Sequence, residues 1–170
     1  FLLGIVYYTG SGVYLIDSRI ADLSYGMAVS ISMGSILVAW LIYDFLWASS
    51  LGKRGWLPII ISLVLLFGII WWFHQWFGSR AAYIHVGAVM GTLMVGNVWR
   101  RIIPSQTKRV ESVKAGKIPE ASLGIKAKQR SIHNNYMTLP VVFIMISNHF
   151  PNTFAHQMNW MILIAIIVIG

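Results

Sequence analysis

The sequence predicts an all-α fold, a polytopic transmembrane helix bundle of about six spans that forms a single integral membrane domain over residues 1–170. Three observations predict it. Hydrophobic residues make up 57% of the chain and charged residues 11%, whereas soluble domains carry about 25% charged residues. The mean hydropathy of +0.69 describes the whole chain rather than one stretch, so little polar surface is left to coat a water-soluble particle. The Lys and Arg residues also gather in a few connections instead of spreading over helix faces.

A hydrocarbon core about 30 Å thick takes roughly 20 apolar residues in a helix. Six segments meet or approach that length: 1–16, 27–49, 57–77, 81–103, 131–150 and a last one from residue 159 onward. The first and last are short. Together with the absence of an initiator Met, they lead us to expect an internal fragment of a longer chain. Most connections are brief. The exception is residues 104–130, a basic segment interrupted by Pro104, Gly116, Pro119 and Gly124, with room for a surface helix over 108–114.

Cation placement supplies an orientation. Arg100, Arg101, Lys108, Arg109, Lys114, Lys117, Lys126, Lys128 and Arg130 fall in or beside the long connection, and Lys53 and Arg54 in the one between spans two and three. Only Arg19 and Arg80 fall on the other side. By the positive-inside rule, loops 50–56 and 104–130 are cytoplasmic. The net charge of +8 is then a topology signal, with anionic lipid head groups as neighbours. Nucleic acid is not an expected partner, because no binding fold or aromatic platform accompanies the charge. The chain has no cysteine, which excludes disulfides, thiolate metal sites and covalently attached c-type haem within it.

Trp71, Trp72, Phe73, Trp76 and Phe77 crowd the outer end of span three. Seating at the membrane interface accounts for these rings; stacking on a quinone is the lesser reading. Polar side chains at membrane depth are costly and often mark function. His74, His85, His149 and His156 all fall toward the outer face, and only His133 toward the inner. Neutral imidazole is a common ligand for haem iron. His85 and His149, on neighbouring helices at similar depth, are therefore the candidate ligands of a b-type haem. His74 is a third candidate cofactor-binding residue, although a hydrogen bond to a carbonyl or head group is the favoured account of His74 and His156. Val89, Thr92 and Gly96 lie on the face of His85, within about 40° on a helical wheel. They would let a flat ring approach, yet Gly87 and Gly91 also form a small-xxx-small packing pattern.

Span five is the most polar. Asn134, Thr138 and Asn148 project within about 40° of one another, and Pro140 removes a helical hydrogen bond near mid-membrane. Asp44 is the only acid inside a span, and pairing with nearby Lys53 or Arg54, or snorkelling, explains it.

Several of these stretches resemble the N-terminal membrane domain of the bacterial membrane-bound urate oxidase (urate hydroxylase) family. They are His85 to Asn97; Ile103-Pro-Ser-Gln106; Lys128-Gln-Arg-Ser-Ile-His-Asn-Asn-Tyr-Met-Thr-Leu-Pro140; Ser147-Asn-His-Phe-Pro151; Leu15-Ile-Asp17; and Tyr43-Asp44. The resemblance implies an oxidoreductase that converts urate toward 5-hydroxyisourate and passes electrons to a c-type cytochrome. That c-type haem would sit on a separate domain or partner, since no Cys-x-x-Cys-His is present. It further implies that His133, Asn134, Asn135 and Asn148 form the catalytic set, with Tyr136 or tryptophans stacking on the planar substrate. The alternative is a non-catalytic membrane subunit of a respiratory or photosynthetic electron-transfer complex, packed against other membrane subunits. A transporter ranks last, because only span five carries the break that paired repeats would show twice.

Overall fold

The computed structural model describes residues 14–147 and 149–169. Most of the first expected span, as well as Asn148 and Gly170, therefore lies outside the described residues. The rest is helical: α1 (Tyr25–Ala48), a 3-10 turn (Ser50–Lys53), α2 (Leu57–Trp76), α3 (Ser79–Gly96), a π-helical segment (Asn97–Ile102), α4 (Ile103–Lys114), α5 (Ala121–Ser147), the single turn α6 (Pro151–Phe154) and α7 (Asn159–Ile169). No strand occurs among the described residues.

Three helical stretches are long and apolar enough to cross a membrane: Tyr25–Ala48, Leu57–Trp76 and Ser79–Lys114. Their burial sorts them. In the last, 56% of the apolar window is buried inside the protein, against 11% and 17% in the first two. α3 is thus the central helix, packed on α1, α2 and α5. α1 and α2 turn broad apolar faces outward, with Phe45, Val64 and Trp71 well exposed, as lipid-facing helices do. α5 falls short of the same hydropathy because its first three turns carry Lys126, Lys128 and Arg130 and the next turn His133, Asn134 and Asn135. α7 is apolar but only 11 residues long.

Local chemistry sets the boundaries. The Ser24 hydroxyl accepts from the Met27 amide and caps α1, satisfying a donor the first turn leaves open. Pro58 occupies the first turn of α2, where a missing N–H costs nothing. α4 ends with Lys117 N–H on the Ser112 carbonyl and Gly116 N–H on that of Val113. Gly116 stands at φ 68°, the left-handed position that glycine adopts without a Cβ clash.

The basic segment differs from its expected form. Residues 104–130 are mostly helical, and only 115–120 connect α4 to α5. Pro104 does not break the chain's helix. The π-helical turn just before it, closed by Ile103 N–H on the Val98 carbonyl, widens the backbone where a proline ring would otherwise strike the carbonyl of Arg100. The continuous helix Ser79–Lys114 has 36 residues, a length of about 54 Å, so it projects well past a hydrocarbon core. Pro140 lies buried inside α5.

Candidate functional site

The bundle has two polar ends. At the basic end, α1 supplies Tyr43, Asp44 and Trp47; the π-helical segment supplies Asn97, Arg100 and Arg101; and α5 supplies Arg130, His133 and Asn134. A π turn carries one residue more than an α turn, which re-aims the side chains it bears. Here it turns Asn97 inward to 1% exposure.

Asp44 is the hub. Arg101 Nε donates to Oδ1 at 2.8 Å and its Nη2 to Oδ2 at 2.5 Å, a two-pronged pair of the stronger charge-assisted kind. Arg100 Nε stands 3.3 Å from Oδ2. Arg130, 3% exposed, reaches Oδ1 at 3.4 Å, the Asp44 carbonyl at 3.3 Å and Asn97 Oδ1 at 3.3 Å. Its guanidinium also lies over the Tyr43 ring, 4.9 Å from the centroid. Three guanidiniums thus meet one carboxylate, and the site holds surplus positive charge.

A neutral chain extends from this cluster. Asn97 Nδ2 donates to Asn134 Oδ1 at 2.8 Å and to Tyr43 Oη at 3.0 Å, and Asn134 Nδ2 donates to the Met94 carbonyl at 3.0 Å. Tyr43 Oη lies 2.7 Å from His133 Nδ1. With Asn97 donating to the phenol oxygen, the phenol proton goes to Nδ1, which places the imidazole proton on Nε2. The His133 ring packs edge-on to Trp47, centroids 4.1 Å apart, and Trp47 is pinned by its Nε1 donating to Ser62 Oγ at 2.9 Å.

The opposite end holds imidazoles packed among aromatic rings. His85, 2% exposed, stacks on Phe77 at 4.8 Å, with Phe73 at 5.3 Å. Its Nδ1 donates to the Ala81 carbonyl at 2.6 Å. His74 Nδ1 donates likewise to the Ile70 carbonyl at 2.7 Å, and its Nε2 is buried with no hydrogen-bond partner. Tyr83 locks this end by donating to the Asn159 carbonyl at 2.5 Å and the Thr153 carbonyl at 3.3 Å. Outside the helices, Asp17 binds Arg19 through both carboxylate oxygens, and the Arg19 side chain and amide hold its carboxyl below the usual range.

The predicted residues distribute unevenly. His133 and Asn134 join the basic-end network, whereas Asn135 is exposed and Asn148 lies outside the described residues. Thr138 is exposed and bonds back to the Asn134 carbonyl, so it does not face inward with Asn134. Tyr136 is 72% exposed. His85 and His149 occupy unlike surroundings, one packed under phenylalanines and the other in an exposed turn after α5. Asp44 pairs with Arg100, Arg101 and Arg130 rather than Lys53 or Arg54, because helix packing brings α3 and α5 closer than the loop that follows α1. Two glycines of α3 are spent on packing and the third is not: a Cβ on Gly87 would meet Ile144 at 2.7 Å and one on Gly96 would strike the Trp40 indole, whereas one on Gly91 would meet nothing within 4 Å. Sequence reasoning missed Asn97, Arg101 and Arg130 as site residues. The available signal was Asp44 itself, since a lone acid within a span requires a buried cation. No group of three or more metal-ligating side chains occurs among the described residues.

The sequence model of one protein family, Urate oxidase N-terminal, matches residues 1–170. No curated protein and no solved structure matches the chain.

Proposed function

The chain belongs to the urate oxidase N-terminal family, and from that premise we propose that it is the membrane part of an oxidoreductase acting on urate at the basic end of the bundle. The observation that carries this reading is the network in which Arg100, Arg101 and the buried Arg130 share the single carboxylate of Asp44. Urate is a planar anion with amide-like edges. Surplus guanidinium charge suits the anion, and the side-chain amides of Asn97 and Asn134 suit such edges. Arg100, more exposed than its partners, is the cation free to reach a ligand. His133, fixed by Tyr43, borders this cluster.

The reaction balances as urate monoanion plus water giving neutral 5-hydroxyisourate, one proton and an electron pair. A c-type cytochrome domain or partner is the proposed final recipient. Loops 50–56 and 104–130 are proposed to face the cytoplasm of a bacterium, with the chain spanning its inner membrane several times. The absence of cysteine makes this directly testable: a single Cys at Lys117 should react with an impermeant thiol reagent only from the cytoplasmic side.

A b-type haem at the histidine end belongs to the same proposal. Nδ1 of His74 is committed to the Ile70 carbonyl. That leaves Nε2 as the unprotonated nitrogen, the arrangement of a metal-binding imidazole. The buried, unpartnered Nε2 of His74 fits a ligand role. His74 would hold the group, with His85 and His149 as the other candidates; when bound, it would supply an electron relay.

The test is urate oxidation by the purified full-length protein with ferricyanide as acceptor. Arg100→Gln removes a charged hydrogen-bond donor and leaves the Arg101–Asp44 pair in place. It should raise KM for urate by about tenfold or more, as expected for a charged contact. Turnover absent from the wild type would end the urate reading. A reduced-minus-oxidised spectrum without a Soret band would end the haem reading.

A further inference from the structure

A cavity of ≈ 1210 Å³ opens between α1 and α2, with parts of α3, α5 and α7 behind it. Its wall on α1 runs from Ser30 to Trp47, about 25 Å along the helix axis and therefore most of a bilayer leaflet pair. The lining is almost wholly apolar, and both flanking helices turn their remaining faces to lipid. Ligand cavities usually enclose about 300–1,000 Å³, so this one has room for a ring system and a long tail.

Its polar groups are mostly spoken for. Ser35 receives Trp72 Nε1, and Ser62 receives Trp47 Nε1 while donating to the Pro58 carbonyl. At the basic end stand Tyr43, Trp47 and His133. Nδ1 of His133 is held by Tyr43, and no described contact takes its Nε2–H. A donor fixed by a neighbour and left open at the polar end of a greasy groove is a head-group anchor.

We infer that this cavity binds a lipid-soluble quinone, with a quinone carbonyl accepting from His133 Nε2–H and the isoprenoid tail lying in the groove between α1 and α2. An amphipathic ligand with one carbonyl-bearing ring and one long apolar tail matches a channel with one polar end. Trp47, edge-on to His133, supplies an aromatic wall for the ring.

The redox role rests on the urate reading. Urate monoanion, water, quinone and one further proton give 5-hydroxyisourate and quinol: both electrons and the proton released from urate pass to the quinone. The second proton comes from water at the basic end, which the exposed Arg100 borders. The quinone is then the immediate electron acceptor within the membrane, ahead of any cytochrome.

The experiment uses full-length protein in nanodiscs and decylubiquinone as probe, read first by quenching of tryptophan fluorescence, to which Trp47 and Trp72 contribute from the cavity wall. Saturable quenching is expected. A Cβ on Gly34 or Gly68 meets nothing within 4 Å and both line the cavity, so Gly34→Leu and Gly68→Leu add bulk at its wall. Each should weaken binding by at least about tenfold. His133→Phe should weaken it too, while the wild-type protein should turn over urate with decylubiquinone. Quenching without a saturable component, or unchanged in both glycine variants, overturns the proposal and leaves the cavity to lipid chains or another helix. Urate oxidation with ferricyanide but none with decylubiquinone also overturns it. Oxidation with neither acceptor is instead a failure of the urate reading, and the quenching curves then decide the site alone.

Discussion

The basic end of the bundle joins α1, the π-helical turn and α5 through ion pairs, while the histidine end joins α2, α3 and α7 through neutral hydrogen bonds and ring packing. Both ends bury polar atoms, but the consequences differ. A charge removed from water requires a partner of opposite sign and further hydrogen bonds, so each member of the Asp44 cluster depends on the others. Imidazoles and a phenol satisfied by backbone carbonyls are nearly independent of one another. One end behaves as a unit and the other as a set of separate latches.

The largest effect should come from breaking the unit at its hub. Asp44→Ala leaves Arg130 buried without its carboxylate and should destabilise the protein by about 3–5 kcal/mol, read as a lower unfolding midpoint in detergent. A shift no larger than that of an exposed substitution would remove the distinction between the ends. Asn97→Ala tests the neutral arm of the same unit. Three partners lose a contact at once, and stranding buried polar groups costs about 1–3 kcal/mol. Its effect should be strongly non-additive with Asp44→Ala in a double-mutant cycle.

Tyr83→Phe tests the latch model. Removing the hydroxyl that bridges to Asn159 and Thr153 should cost about 1 kcal/mol and add to Asp44→Ala without coupling. Additivity is the result that sharpens the contrast; coupling across the bundle would break it. The smallest effect belongs to the exposed Asp17–Arg19 pair. Asp17 has its carboxyl lowered in the folded state by Arg19, so its contribution is present above the unfolded value near 3.8 and fades as pH falls through the folded value. Asp17→Asn should therefore flatten the acid limb of stability against pH, leave the neutral region little changed and lose its effect in high salt.

The apolar helices Tyr25–Ala48, Leu57–Trp76 and Ser79–Lys114 were legible in the sequence because apolar runs must match hydrocarbon thickness. Helix ends beyond it were not. Hydropathy drops at Arg100 and Arg101, but backbone hydrogen bonding continues to Lys114, since hydropathy reports the solvent around a helix rather than its continuation. His133 and Asn134 were legible as polar groups in an apolar setting. Asn135 carries the same chemistry one residue along and is exposed, because a helix turns about 100° per residue and the sequence alone did not say which face met α3.

Composition and charge placement by themselves determined a helical membrane bundle with one strongly basic side, and the span-five stretch carried the family likeness. Only the tertiary structure decided that Asp44 meets Arg100, Arg101 and Arg130, that Asn97 turns inward, and that His85 lies beneath Phe73 and Phe77. The physical reason is that hydrophobic burial is a sum over residues and survives as a pattern in one dimension. Ion pairing and hydrogen bonding act over about 3 Å between side chains on different helices, so they depend on how those helices rotate and pack.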